Sequence, residues 1–226
     1  MSENMVRLFR PQEGGLIGLK CIDDKLYALP AKGDFILVYK RSSNEDYSLM
    51  DKVPVSVKNA TGITSDGKML FIADSLGKAV YCIDPETKQS RLYLNMSELK
   101  TNQGEDVLHA GNSRVNDMEI HKNEMWITCS AGYSSCIYRI DTGARKVIKV
   151  IPARGPEPKS ISFDASAKCM KVLDSSNREI SDFTLEGEWT GKLVKVPVDN
   201  PACFTVDENR QLIISNCEAN RRKREV

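Results

Sequence analysis

The 226 residues carry 32 Lys and Arg against 31 Asp and Glu, a formal charge of +1, so no electrostatic excess draws the chain to DNA or to a membrane surface. At 25.3 kDa, with no apolar run of signal or spanning length, the sequence suits one domain over residues 1–226. Its seven cysteines are odd in number and scattered through predicted strands, which reads as buried thiols rather than a disulfide framework and makes the cytoplasm the expected compartment.

In chain order, the first predicted element is the run MVRLFRP over residues 5–11, a lone strand with no inner strands before it. A repeating unit follows. GLKCIDDKLYALPAKGDFILVYK from Gly18 opens it, and the clearest copy is GITSDGKMLFIADSLGKAVYCID from Gly62. Later copies begin at Asp117, Ser160 and Cys203. Each reads as two hydrophobic strands, a turn and a third strand, and four of them add an outer strand, over residues 47–55, 91–96, 146–151 and 192–198. The residues that end the second strand, Pro30, Asp74, Cys129, Asp174 and Asn216, are by subtraction 44, 55, 45 and 42 residues apart. Such a period is that of a four-stranded propeller blade, and the long step is an insertion over about residues 97–115.

Apolar residues occupy both faces of the predicted strands, as when neighbours cover each side, and helical spacing is nowhere sustained. The expected fold is all-β: a propeller of five four-stranded blades, closed by the N-terminal strand pairing as an outer strand into the last blade. An incomplete six-bladed ring is the alternative. The basic tail, with Arg221, Arg222, Lys223 and Arg224, is expected to be a solvated third strand of the last copy.

The residues Gly62-Ile63, Ser65 to Lys68, Phe71 to Ser75 and Val80 to Asp84 resemble the blades of two related groups. These are the NHL repeats at the C-terminal end of tripartite-motif ubiquitin ligases, and the gluconolactonase and paraoxonase-like calcium-dependent hydrolases. The resemblance implies a module that presents a binding face, with enzyme activity only where axial metal ligands are present.

The hydrolases resembled hold calcium on the ring of residues that open the innermost strands, because a hard cation needs six or more oxygens. The equivalent pairs here are Ile17-Gly18, Thr61-Gly62, Asn116-Asp117, Lys159-Ser160 and Ala202-Cys203. Only Asn116 and Asp117 supply strong ligands, Glu119 falls on the same side of its strand, and Lys159 opposes a cation. Asn116 and Asp117 are also the residue types that cap a loop end through local backbone bonds. One carboxylate at the first ring does not make the pair a glycosidase needs. Asp74, Asp174 and Asn216 recur at one turn and are expected to hold it. His121 falls in a predicted hairpin turn, and His109 lies in the insertion over the same face as Asn116.

The reading that follows is a non-enzymatic propeller with no cofactor. It binds a partner, expected to be a protein, on the face built from the inter-blade loops, with Asn116, Asp117, Glu119, His109 and Lys159 at its centre. The alternatives are a calcium-dependent lactonase or esterase using Asn116 and Asp117 as ligands, and RNA binding of the kind some NHL modules perform.

Overall fold

A computed structural model describes residues 6–9, 11, 14–42, 46–100, 113–131 and 134–216. The strands form five sheets. The first blade is β2 (Leu16–Ile22), β3 (Lys25–Pro30), β4 (Phe35–Arg41) and β5 (Tyr47–Pro54), and the second is β6 (Ala60–Ser65), β7 (Leu70–Asp74), β8 (Ala79–Ile83) and β9 (Ser90–Asn95). The third is β10 (Arg114–His121), β11 (Glu124–Ser130), β12 (Cys136–Asp141) and β13 (Lys146–Pro152). The fourth is β14 (Pro158–Asp164), β15 (Cys169–Asp174), β16 (Glu179–Phe183) and β17 (Trp189–Lys195). These four blades are antiparallel meanders. β18 (Pro201–Val206), β19 (Leu212–Asn216) and β1 (Val6–Leu8) make the fifth.

Each inner strand packs against the next, and β18 packs back on β2, so the ring of five closes. The core divides accordingly into five clusters, one per seam between blades. Trp126 and Ile137 of the third blade, for example, meet Ile161, Val172 and Phe183 of the fourth. Leu173 and Ile180 of the fourth meet Phe204 and Ile214 of the fifth. Because every blade contributes to two seams, its middle strands are apolar on both faces, which is why strict alternation is missing from β7 and β15.

Aspartates hold the turns that join these strands. Asp66 Oδ1 accepts the amides of Lys68 and Met69 at 2.9 and 2.8 Å, and Asp74 Oδ1 accepts Gly77 N at 2.8 Å. A Cβ on Gly77 would lie 2.5 Å from Asp74 Oδ2, so the Asp-x-x-Gly pairing is steric as well as polar. Asp174 repeats the bond to Asn177 N at 2.7 Å.

Two expectations change. The fourth blade's outer strand runs over Trp189–Lys195 rather than 192–198, because Val196 and Val198 turn inward and are buried in the seam between fourth and fifth blades. The N-terminal strand joins the last blade as its outermost described member, but directly beside the second strand rather than beyond a third one. β1 pairs in parallel directly with β19, with Val6 opposite Leu212 and Leu8 opposite Ile214. The reason is burial on both sides. Leu8 packs against the seam between fourth and fifth blades, whereas Phe9 enters the seam between fifth and first blades, a depth that the largely exposed outer strand β17 does not reach. The basic tail lies outside the described residues.

Phe9 is the anchor of this closure: its amide donates to Ile214 O at 2.8 Å and its ring sits edge-on to Tyr39 and Tyr47 at 5.2 and 5.7 Å. Phe9→Ala is expected to lower unfolding free energy by about 3 kcal/mol, as for other buried aromatic truncations. Urea denaturation checks it; an unchanged midpoint would remove this strand from the role of closing the ring.

Candidate functional site

In every blade the first two strands slip register at one place, between Leu16 and Gly18, Ala60 and Gly62, Val115 and Asp117, Pro158 and Ser160, and Pro201 and Cys203. Ile17, Thr61, Asn116, Lys159 and Ala202 are therefore the extra residues of five equivalent bulges, and the local bend re-aims the side chains that follow. Beyond the bulge, strand alternation sets two tiers about the axis. The first is Gly18, Gly62, Asp117, Ser160 and Cys203; the second is Lys20, Thr64, Glu119, Ser162 and Thr205.

Side chains of these tiers and of one bulge tie inner strands to their neighbours. Asp117 Oδ2 accepts from Ser160 Oγ at 2.6 Å and from Ile161 N at 3.1 Å. Ser160 Oγ and Ser162 Oγ accept the amides of Phe204 and Val206, each at 3.3 Å, and Thr205 Oγ1 accepts Cys21 N at 3.1 Å. Thr61 Oγ1 donates to Val115 O at 3.0 Å. Between first and second blades the tie is close approach instead: a Cβ on Gly18 would stand 3.2 Å from Ile63 N. Gly62 is equally constrained, since its Cβ would fall 2.2 Å from Asp117 Oδ1.

The sequence-selected residues divide between this hub and the face above it. Asn116 is buried, its amide donating to Ser130 Oγ at 2.6 Å and Pro158 O at 2.9 Å. Asp117 is 1% exposed, and its Oδ1 has no hydrogen-bond partner. Burial pushes its carboxyl up to about 7, against the opposing bonds from Ser160 and its neighbours. Glu119 is 2% exposed and pairs across the hub with Lys20 at 2.5 Å. Burial raises its carboxyl too, and the Lys20 charge opposes that rise. His109 lies outside the described residues. His121 ends β10 with its ring tilted on Phe163 at 4.1 Å, and burial pushes its imidazole down.

Lys159 alone of the described candidates reaches open space. It is half-buried and lines a cavity of about 440 Å³ between fourth and fifth blades, with Glu157, Ser175, Ser176, Arg178 and Asp199. Lys159 lies at the start of β14 and the others belong to the inter-blade loops and the β15–β16 turn, so the cavity opens on the face the repeats predict. Asn116 and Asp117 hold the residues on either side of Lys159, Pro158 and Ser160. The sequence-selected residues are thus mechanically joined, although three of them are sealed beneath the face.

Sequence reasoning overlooked Lys20, Arg178, Ser175 and Ser176. The step of two residues that picked out Glu119 from Asp117, applied to all five pairs, leads straight to Lys20. No comparable signal marked Arg178, whose place depends on how a turn in one blade faces the loop into the next.

The donor set does not suit calcium. Asn116 is bound to Ser130 and Pro158, one oxygen of Asp117 is taken by Ser160 and Ile161, and Glu119 is engaged by an ammonium that would repel the ion. Among the described residues no group of three or more His, Cys, Asp or Glu is arranged to hold a metal.

No protein-family model matches the chain, and no curated protein matches it in sequence. Solved structures match in shape. Hydrazine synthase of Kuenenia stuttgartiensis superposes with a TM-score of 0.51 at 16% identity, covering 87% of this chain and 53% of that one. Virginiamycin B lyase from Staphylococcus aureus gives 0.55 at 15% identity, over 91% and 78%. A chain from a nidogen/laminin complex gives 0.55 at 14%, over 84% and 68%. This chain spans about half the length of the hydrazine synthase chain. At these identities the likeness is one of fold: a β-propeller.

The hub makes two predictions. Asp117 binds its proton more tightly folded than unfolded, so its contribution to stability is complete below the unfolded value near 3.9 and is lost as pH rises to about 7. Asp117→Asn should therefore flatten the stability profile between those limits and gain roughly 2 to 4 kcal/mol relative to the parent at pH 8 compared with pH 4. Parallel profiles in urea melts at the two pH values would refute the assignment. Lys20→Met should cost about 3 kcal/mol by stranding the Glu119 charge, and adding Glu119→Leu should restore most of it; a double variant as weak as the single one contradicts the pairing.

Proposed function

We propose that this propeller is a non-enzymatic interaction module that docks a partner protein on its inter-blade loop face, at the cavity between fourth and fifth blades. One observation carries the reading. The hub carboxylates are spent on holding blades together, Asp117 to Ser160 and Ile161 and Glu119 to Lys20, whereas Lys159 stands in an open cavity with no ion pair or hydrogen bond among the described residues.

A reaction needs an acid, base or nucleophile that a substrate reaches, and groups 1% to 2% exposed are not reached. A rigid ring carrying loops on one rim is instead the arrangement that recognition uses. Propellers of this shape occur in two proteins named as enzymes, a synthase and a lyase, and in a nidogen/laminin complex, so the fold supports either role and the hub chemistry favours binding.

Site-specific photo-cross-linking tests this in cells. A benzoylphenylalanine replacing Lys159 should trap a discrete protein partner, and the same group at Lys68, which lines a cavity on the opposite face, should not. Equal trapping from both positions, or none from Lys159, would count against the loop face.

A further inference from the structure

We infer that the cavity between fourth and fifth blades receives a carboxylate side chain from an acidic peptide segment, gripped by Lys159 and Arg178. This rests on the reading of the loop face as the docking surface, and names the chemistry of what docks.

Two acids and two bases line the cavity, Glu157 and Asp199 against Lys159 and Arg178, so a sum of charges says nothing. What each group already does decides the matter. Glu157 Oε2 accepts the hydroxyls of Ser175 and Ser176 at 2.7 and 2.9 Å. The Ser175 hydroxyl, then Ser176 and the nearby Lys159 charge, hold its carboxyl below its ordinary value against the effect of burial. Behind the wall, both oxygens of Asp174 are occupied by the amides of Asn177 and Glu157. The acceptors are supplied with donors.

The donors are only partly supplied with acceptors. Lys159 carries three N–H groups and bonds to none of the described residues. Among the described residues Arg178 uses Nη1 alone, toward Asp199 at 2.7 Å, and the Asp199 side chain is 85% exposed, so it can yield its place to water at little cost. The missing element is an anionic acceptor with two oxygens, which is the fork that a guanidinium meets best.

Both cations stand on fixed backbone. Lys159 is the bulge residue between two positions held from the third blade by Asn116 and Asp117. Arg178 sits in a left-handed turn, φ 55°, whose carbonyl accepts Val196 N at 2.8 Å. Cations already held in place lose less freedom on binding. Nucleic acid is the less suitable anion: a phosphate backbone needs a continuous basic track, and here two cations are interleaved with two acids in a chain of charge +1.

Amide chemical shifts of the isotope-labelled full chain, titrated with a Glu-Gly repeat peptide, its Gln-Gly analogue and an oligouridylate, provide the test. The Glu peptide should move Lys159, Arg178 and Asn200 together, and the Gln analogue should not. Lys159→Met should weaken binding about tenfold, the worth of a charge-assisted bond, whereas Glu157→Gln should strengthen it by removing one of the two opposing charges. Lys68→Met should change nothing. Equal response to both peptides, shifts scattered over the surface, or preferential binding of the oligouridylate would overturn the inference. A cross-link from position 159 that persists beside such a result would keep the docking face and discard the acidic ligand; loss of the cross-link alone would discard the face.

Discussion

Five strands converging on one axis leave a polar edge on each that no sixth strand covers, and the need to satisfy that edge governs this molecule. Buried amides without partners cost too much to tolerate. The chain meets the demand with side chains sent from one inner strand to the next: Thr61 to the third blade, Asp117 to the fourth, Ser160 and Ser162 to the fifth, Thr205 to the first. Where a side chain would not fit, glycine lets the neighbouring backbone close in, as at Gly18 and Gly62. The bulge at or before each of these positions is the device that turns them toward their task.

That constraint explains why residues of catalytic type are not free for catalysis. Asn116 and Asp117 have the chemistry of metal ligands, yet each already bonds to the fourth blade. The same bonds have an outward consequence. They fix Pro158 and Ser160, and the residue between them, Lys159, has nowhere to go but the rim. A structural clamp in the hub thereby becomes a positioning element for the open face, and side-chain placement at a recognition site is most precise when it is set by a rigid scaffold beneath.

The architecture was legible because it is repeated. Pro30, Asp74, Cys129, Asp174 and Asn216, aligned by spacing alone, each pair with the residue two before the first-tier position of their blade. What the repeat could not reveal is what happens where it stops. The N-terminal strand reads as an outer strand and is the outermost described strand of its blade, but its parallel place directly beside β19 is set by Phe9 and Leu8 filling different seams, a fact about three-dimensional volume that one strand's pattern does not contain. The hub was half legible for a related reason. Local spacing identifies which residues face the axis, so Glu119 was found, but which of them meet across it depends on ring size, and Lys20 reaches Glu119 from a blade two places away.

The Lys20 and Glu119 pair poses the question of why charge is kept there at all. Replacing a buried ion pair with apolar residues of similar volume is often neutral or stabilising, so stability alone does not account for it. Geometry offers a reason. Apolar contact at a hub is indifferent to which strand supplies it, and a ring of near-identical repeats has many nearly equivalent ways to close. A single ammonium bonded to a single carboxylate across one intervening blade is satisfied in only one of them, because any shift of register or of blade order leaves both charges buried and alone. The pair thus acts as a key for the arrangement of the ring, with its cost borne by the seams, and Asp117 beside it adds a second such key between third and fourth blades. Specificity of closure is thus a use for charge at this hub that apolar burial alone would not supply.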